Sequence, residues 1–254
     1  MKLSGNTILV TGGSTGIGLA FAKKFVALGN SVVITGRSQA KLDAALKEEP
    51  KLVAIRNDAS DAKATSALAA DVTARFPNVN VLFNNAGILR YLNLAQGEAD
   101  LTALTSEIDI NLSGPIRLVS AFIDTLRKNK GTIVNVSSGL AFVPLTAAPI
   151  YSATKAAMHA YTITLRQQLR DQGVEVIELM PPSVKTDLAT IPKDVKVLTT
   201  DELVAATLKD LGRGVEEITP GQAGQLRFMS RVAPGFIRGM LEKGSRPLIP
   251  GRQA

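Results

Sequence analysis

Short apolar runs rich in β-branched residues recur along the first 180 positions, and longer stretches with helical periodicity separate them. Runs of this length and composition predict buried strands, and the stretches between them predict helices. The predicted strands cover residues 7–10, 31–35, 52–56, 81–83, 132–136 and 174–179. The predicted helices cover residues 16–28, 39–48, 61–75, 101–128, 152–171 and 201–212.

Strands that alternate with helices form βαβ units, whose strands are parallel and whose helices cover both faces of the sheet. The pattern therefore predicts an α/β chain with a doubly wound Rossmann fold. No linker or repeat interrupts the first 180 residues, so we expect a single Rossmann-type domain over residues 1–254. After Pro181-Pro182 the pattern loosens, which predicts a mobile substrate loop at about residues 187–200. Residues 215–219 predict an edge strand, followed by one final basic helix.

Composition limits the chemistry. The chain has no cysteine and one histidine, so a thiolate site or an imidazole cluster cannot form, and we expect no metal. No apolar run reaches the ~18 residues of a membrane span, and no basic segment leads into an apolar run at the start. We therefore expect a cytoplasmic protein.

The net charge of +7 is concentrated in a basic C-terminal tail, residues 221–254. This tail contains one acidic residue, Glu242, and six basic residues: Arg227, Arg231, Arg238, Lys243, Arg246 and Arg252. The chain lacks a recognisable nucleic-acid module, which argues against a nucleic-acid partner. Because the tail is amphipathic, we expect it to pack on the body or on a second subunit, and peripheral membrane contact is the alternative.

A glycine-rich turn, Thr11-Gly12-Gly13-Ser14-Thr15-Gly16-Ile17-Gly18, joins the first predicted strand to the first helix. In this position Gly12 permits a tight turn, Gly16 lets the backbone approach a pyrophosphate, and Gly18 permits close helix packing. The alternative is a glycine-rich connection without a ligand. We expect a dinucleotide cofactor to bind Gly12, Ser14, Thr15, Gly16, Ile17 and Gly18.

The end of the second strand, Thr35-Gly36-Arg37-Ser38, bears on the choice of cofactor. An acidic residue at this position would bind ribose hydroxyls and repel a phosphate, and none is present. Arg37 offers a planar cation suited to a 2′-phosphate, with Ser14 and Ser38 as hydroxyl donors. NADP(H) is therefore favoured over NAD(H), and the alternative is that Arg37 is a solvated surface arginine.

Tyr151 and Lys155 are four residues apart in a predicted helix, and Ser138 lies thirteen residues before the tyrosine. Residues i and i+4 share a helix face, so the Lys155 ammonium can favour the Tyr151 phenolate. A phenol of this kind can donate and accept a proton, which indicates interconversion of a carbonyl compound and its alcohol.

The order and spacing of these motifs resemble the classical short-chain dehydrogenases/reductases across about residues 7–190. The glycine spacing GxxxGxG and the modest length are similar to the classical branch rather than the extended one. Around residues 177–188 the sequence is similar to that of bacterial DltE-type oxidoreductases. The matching positions are segment 11–18, Asp58-Ala59, Asn84-Asn85-Ala86-Gly87, Asn111, Ser138, Tyr151, Lys155, Pro181, Val184 and Thr186.

The resemblance implies a role for each catalytic position. Tyr151 would be the general acid in reduction and the base in oxidation, while Ser138 would donate a hydrogen bond to the substrate oxygen. Lys155 would lower the pKa of the tyrosine and hold the cofactor ribose, Tyr151 would also contact the cofactor, and Asn111 would anchor a water relay. The implied cofactor contacts are Asp58 and Ala59 at the adenine, Asn85, Ala86 and Gly87 at the adenosine ribose, and Pro181, Val184 and Thr186 near the nicotinamide.

One position departs from the family pattern, because Pro182 stands where the family commonly has glycine. Proline removes an N–H and fixes φ, which reshapes the turn on the nicotinamide side. The resemblance also implies a homodimer or homotetramer built through the helices at 101–128 and 152–171. The apolar residues between Ser138 and Tyr151, with Leu188 and Ile191, are candidates for an apolar substrate pocket. His159 is interpreted as a packed or interface histidine.

The sequence thus predicts an NADP(H)-dependent oxidoreductase acting on a ketone or aldehyde and its alcohol. Imine reduction and NAD-linked alcohol oxidation on the same scaffold remain alternatives. A non-catalytic, nucleotide-sensing interaction protein is the alternative outside the enzymes.

Overall fold

The computed structural model describes residues 1–97, 100–191 and 195–251. In these ranges the strands are β1 (Thr7–Val10), β2 (Ser31–Gly36), β3 (Val53–Arg56), β4 (Val79–Asn84), β5 (Thr132–Val136), β6 (Glu175–Leu179) and β7 (Glu217–Ile218). The helices are α1 (Gly16–Ala27), α2 (Gln39–Glu48), α3 (Ala62–Arg75), α4 (Leu101–Ile108), α5 (Gly114–Lys128), α6 (Pro149–Leu169), α7 (Thr200–Leu211), α8 (Gln222–Val232) and α9 (Pro234–Ser245).

The strands form one sheet in the order β3-β2-β1-β4-β5-β6-β7, and every pairing is parallel. The doubly wound Rossmann fold that the sequence predicts is confirmed, as is the edge strand that follows α7. The strand order reverses between β1 and β4, and in such sheets ligands bind beyond the carboxyl ends of the strands at this point.

Successive residues of a strand face opposite sides of the sheet, and β1 buries both of its faces. Ile8 and Val10 pack in the cluster that contains residues of α1, α2 and α7. Leu9 packs on the other face, in the cluster formed by α3, α5 and α6. All three residues are 0% exposed, so the start of the glycine-rich turn is held by a strand buried on both faces.

The predicted helix over residues 101–128 is divided. A wide π-turn at Asp109–Ser113 separates α4 from α5, and Asn111 lies in that turn. The helical backbone continues through the turn, so the hydrophobic periodicity does not reveal it.

The prediction of one final basic helix is wrong, because the tail forms two helices, α8 and α9. Pro234 is the first residue of α9, where its missing N–H is tolerated, and it could not continue α8. Arg227 of the tail forms an ion pair with Glu217 of β7. The tail therefore packs on the body; its Arg252 lies outside the described residues.

The predicted substrate loop is fixed at both ends. Val184 and Leu198 form a parallel bridge, and the Lys185 N–H donates to the Leu198 carbonyl at 2.9 Å. The Tyr91 hydroxyl donates to the Thr190 carbonyl at 2.6 Å. Residues 192–194 of this loop lie outside the described residues. Across the described ranges, no helix combines the length and apolar character that crossing a membrane requires.

Candidate active site

Two large cavities meet at the carboxyl ends of the central strands. The first cavity, about 580 Å³, is lined by the glycine-rich turn and by residues that follow β2, β3 and β4. The second cavity, about 650 Å³, is lined by residues that follow β5 and β6 and by α8 and α9. They are adjacent, because five residues line both: Ile17, Asn85, Gly87, Thr186 and Leu188.

Most of the predicted cofactor residues line the first cavity. They are Gly12, Ser14, Thr15, Gly16, Ile17, Arg37, Ser38, Asp58, Ala59, Asn85, Ala86, Gly87 and Thr186. Gly18 packs beneath this wall, while Pro181, Val184, Tyr151 and Lys155 line the second cavity. The structure therefore brings the predicted residues together, and their roles toward a ligand stay predictions.

Gly12 and Gly18 of the glycine-rich turn have no room for a side chain. Gly12 has a φ of +63°, and a Cβ on it would lie 2.9 Å from the Ala86 Cα. A Cβ on Gly18 would lie 2.3 Å from the Gly12 carbonyl oxygen. The backbone is thus exposed to the first cavity on one side and packed against α1 on the other, which is the form of cradle that a pyrophosphate needs.

The N-terminus of α1 adds to this cradle. The side chain of Thr15 at the N-cap makes no capping hydrogen bond, and the first turn contains no acidic residue. The first N–H groups of a helix lack partners within the helix, and the helix dipole makes this end favourable for an anion. The first cavity therefore offers unneutralised donors to phosphate oxygens.

Thr11 is not among the predicted site residues. It joins the glycine-rich turn to the residues that follow β4. Its hydroxyl oxygen accepts hydrogen bonds from the N–H groups of Asn85 and Ala86 at 3.0 and 3.1 Å. The Asn85 amide donates in return to the carbonyls of Thr11 and Gly12 at 3.0 and 3.2 Å. The sequence signal for this contact is the threonine that directly follows the first predicted strand.

The far end of the first cavity carries a mixed set of charges. Arg37 lines this cavity together with Ser14, Ser38 and Lys41, a second cation that is not among the predicted site residues. Burial works to raise the pKa of Asp58, but hydrogen bonds from Ser60 and the charge of Arg37 outweigh it and lower that pKa. Asp58 is therefore an ionised acceptor near neutral pH.

Tyr151 is buried at the second cavity, with 7% of its surface exposed. Burial raises its pKa to about 12; a hydrogen bond with Ser138 lowers the pKa, and the Glu107 and Tyr91 charges raise it. The sequence predicts a lowered pKa, and the protein groups around the phenol produce the opposite, because desolvation outweighs the hydrogen bond. At neutral pH the phenol therefore carries its proton.

Lys155 lies beside the phenol ring, with its Nζ 5.5 Å from the ring centroid. The ammonium donates a hydrogen bond to the Val136 carbonyl at 2.9 Å. Burial lowers the pKa of Lys155 to about 8, and the charge of Glu178 acts in the opposite direction. Lys155 therefore loses its proton in the mildly alkaline range.

Asn111 lines neither cavity and holds the chain between them. Its side-chain oxygen accepts from the Ile88 N–H at 2.9 Å, and its amide donates to the Ile88 carbonyl at 2.9 Å. The amide also donates to the Thr154 hydroxyl on α6 at 3.2 Å. This geometry makes Asn111 a positioning residue for residues 87–89; the predicted water relay stays a prediction.

Glu178 is the centre of a hydrogen-bonded group whose charge acts on Lys155. Glu178 on β6 is 0% exposed, and its two oxygens contact the Ser137 hydroxyl and, at 2.8 Å, the His159 Nδ1. The hydrogen bond to Glu178 raises the pKa of His159. His159 also packs edge-on against Phe142. His159 is thus packed, as the sequence interpretation has it, and it also has a carboxylate partner that the sequence did not indicate.

The apolar residues expected at the substrate pocket divide into two groups. Leu140, Leu145, Leu188 and Ile191 line the second cavity. Phe142 is instead the packing partner of His159, and Val143 is buried. Within the described ranges there is no cluster of three or more His, Cys, Asp or Glu that could hold a metal ion.

Comparisons with known proteins agree with this geometry. A family model described as short chain dehydrogenase matches residues 6–194. The chain is 42% identical over 237 residues to DltE of Bacillus subtilis, described as an uncharacterized oxidoreductase, with 91% of this chain and 94% of that protein covered.

Solved structures show the same architecture. A short chain dehydrogenase from Burkholderia cenocepacia in complex with NADP is 26% identical, with a TM-score of 0.83 over 95% of this chain and 99% of that one. A short chain dehydrogenase/reductase from Burkholderia phymatum in complex with NAD is 22% identical, with a TM-score of 0.78 over 89% and 93% of the two chains. The second likeness extends to the fold alone.

Proposed function

This chain belongs to the short-chain dehydrogenase family, and we propose that it is an NADP(H)-dependent oxidoreductase that interconverts a ketone or aldehyde and its alcohol. One observation carries the proposal. Ser138, Tyr151 and Lys155 line a cavity that shares a wall with the glycine-lined first cavity. A reacting carbonyl group beside Tyr151 would thus lie next to a cofactor in the first cavity.

The residues of the first cavity fit a nicotinamide dinucleotide. Gly12 and Gly16 line this cavity with positive φ, a conformation that favours glycine, and the uncapped start of α1 supplies N–H donors. Arg37, with Lys41 and Ser38, would hold a 2′-phosphate, which supports NADP(H) over NAD(H). When bound, the cofactor supplies a hydride to the carbonyl carbon or accepts one from the alcohol.

The protein's own groups would stabilise charge and move the proton. The Ser138 hydroxyl donates a hydrogen bond to the substrate oxygen, where negative charge develops during reduction. Tyr151, whose pKa is raised to about 12, holds the proton that this oxygen requires. Lys155 in its ammonium form stabilises the phenolate that remains.

We also propose that the protein forms a homodimer or homotetramer through α4, α5 and α6. Ile108 and Ile116 on the α4–α5 pair are more than a third exposed, which supports burial of this face against a second copy. Light scattering after size-exclusion chromatography tests this, and a monomeric mass at micromolar protein concentration would overturn it.

Cofactor use is tested by thermal unfolding in the presence of NADPH or NADH. A ligand that binds the folded state at a hundred times its Kd adds about 2.7 kcal/mol to the free energy of unfolding. We expect NADPH to raise the unfolding temperature at lower concentration than NADH. If neither cofactor raises it, the first cavity is not a dinucleotide site.

Turnover is tested with a panel of ketones, aldehydes and alcohols. Tyr151→Phe should lower kcat/KM by about a thousandfold, because general acid catalysis contributes about 10²–10⁴-fold, while the thermal shift with NADPH stays unchanged. Tyr161→Phe, on the same helix and outside both cavities, is the matched control. Equal turnover by wild type and Tyr151→Phe would exclude the proposed mechanism.

A further inference from the structure

We infer that the carbonyl substrate is an uncharged molecule with an extended apolar body, which lies in the second cavity against α8 and α9. This inference rests on the proposed function and names the substrate class of the same site. It depends on the lining, charge and size of the second cavity.

The tail helices give the second cavity an apolar wall. α8 contributes Leu226 and Met229, and α9 contributes Phe236, Ile237 and Met240. The same cavity is also lined by Leu140 and Leu145 from the segment after Ser138 and by loop residues such as Ile191. A substrate held by these side chains gains affinity by removing apolar surface from water.

The second cavity is poor in charge. Among the described residues that line it, the charged side chains are Lys155 and Lys196, and none is a carboxylate. The Lys155 ammonium already donates a hydrogen bond to the Val136 carbonyl, beside the phenol. Lys196 is exposed and lies near Glu202, whose pKa is lowered by hydrogen bonds from Thr199 and further by the Lys196 charge.

This distribution discriminates against charged substrates. A carboxylate, sulfonate or phosphate that enters an apolar cavity loses its hydration and needs a fixed cation as a partner. Away from Tyr151, the described wall offers neutral polar groups such as Gln222 and Gln225, and its cation there, Lys196, is exposed and lies near the Glu202 carboxylate. Neutral amides suit an uncharged oxygen on the substrate and do not compensate an anion.

The size of the cavity points to a large substrate. A cavity of about 650 Å³ falls within the range that encloses drug-sized ligands, and the nicotinamide end of the cofactor would take the part of it beside Pro181 and Val184. Phe236 and Met240 are 68% and 50% exposed while they line the cavity, so the apolar wall continues to the surface. A two- or three-carbon aldehyde would contact little of this wall, whereas a longer apolar body would cover it.

A series of methyl ketones tests chain length. With the preferred nicotinamide cofactor, kcat/KM should rise about fourfold per added methylene from 2-butanone to 2-octanone, because burial of one CH₂ is worth about 0.8 kcal/mol. 7-Oxooctanoate has the same number of carbons and a terminal carboxylate. We expect its kcat/KM to be at least about tenfold below that of 2-octanone. A flat series, or preference for the anion, would overturn the inference and leave the proposed function intact.

Binding separates the two proposals when turnover is absent. In the presence of the cofactor, 2-octanol should raise the unfolding temperature, and 7-hydroxyoctanoate should raise it less. If 2-octanol stabilises the protein but no carbonyl is reduced, the proposed reaction fails and the apolar site stands. If neither alcohol stabilises it, the apolar site is excluded.

A charge introduced into the wall should reverse the preference. Met240→Lys places an ammonium at a half-exposed position of the cavity, and we expect it to lower kcat/KM for 2-octanone at least fivefold while raising that for 7-oxooctanoate. Phe228→Lys is the matched control, because Phe228 is 63% exposed on α8 and does not line the cavity. Equal effects of the two variants would contradict the assignment of α9 to the substrate wall.

Discussion

The Nδ1 of His159 lies 2.8 Å from the Oε2 of Glu178, inside a protein whose sequence has no other histidine. Glu178 is fully buried, and its charge also acts on Lys155, one helical turn before His159 on α6. The charge of this carboxylate therefore acts both on Lys155, a proposed catalytic residue, and on a partly exposed imidazole. Ser137, next to the proposed catalytic residue Ser138, donates to the same carboxylate.

The pair should make stability depend on pH. Glu178 raises the pKa of folded His159 above its value of about 6.5 in the unfolded chain. The folded state then holds the proton more tightly, so the extra stability is complete below pH ~6.5 and is lost as the pH rises through the folded pKa. NMR titration of the single imidazole should give a pKa above 6.5 in the wild type.

The reference for this measurement is the double variant His159→Gln/Glu178→Gln, which removes both ionisable groups. The free energy of unfolding of this variant should fall furthest below that of the wild type near pH 5.5–6, and the difference should shrink toward pH 8. Loss of the Glu178 charge also lowers the pKa of Lys155, which changes the deficit in the same direction. A deficit independent of pH would show that the pair is not charged in the folded protein.

Removal of the Glu178 charge should change the pH profile of catalysis. Lys155, with a pKa lowered to about 8 mainly by burial, loses its ammonium form in the alkaline range, and Glu178 opposes that loss. Glu178→Gln should therefore move the alkaline limb of kcat/KM to lower pH. Glu216→Gln, at an exposed position near Arg166, is the control. A merely structural role would lower activity at every pH without moving the limb.

The cofactor preference should depend on Arg37. Arg37→Asp replaces a cation at the first cavity with an anion, and hydrogen bonds to charged groups are worth about 1.5–3 kcal/mol. We expect the Kd for NADPH to rise about a hundredfold and that for NADH to change by less than about threefold. Lys47→Asp makes the same charge change on the exposed side of α2 and serves as the control. Equal weakening of both cofactors would exclude a 2′-phosphate contact.

The close packing of Gly18 gives a prediction on stability. A Cβ at this position would lie 2.3 Å from the Gly12 carbonyl oxygen, so Gly18→Ala must displace the turn or α1. We expect a loss of about 1–3 kcal/mol in the free energy of unfolding and weaker NADPH binding. Gly239→Ala, in α9 with nothing within 4 Å of the added Cβ, should have a small effect on both. Equal behaviour of the two variants would contradict the close approach of Gly18 to the turn.

The sequence predicts the sheet and the first cavity because the signals are local. Each buried strand is a short β-branched run, and the turn after β1 needs glycine at positions that the chain itself displays. The break at Pro234 also had a local signal, which the prediction of one final helix did not use. The π-turn around Asn111 had none, because its residues continue a helical pattern.

The environments of charged groups could not be predicted in the same way. Glu178 and His159 are 19 residues apart and meet because β6 packs against α6. The raised pKa of Tyr151 follows from its burial, which depends on how α6 is covered by the rest of the fold. Sequence spacing indicates which groups can meet, whereas desolvation is a property of the assembled structure.

Asn111 pairs with both backbone groups of Ile88 through one side-chain amide. Ile88 faces the first cavity, Leu89 faces the second, and Gly87 borders both. A single amide thus takes the place of a neighbouring strand for the segment that divides the two cavities. Substitution of this one side chain would therefore loosen the walls of both cavities at once, so a change at position 111 could not alter one cavity and spare the other.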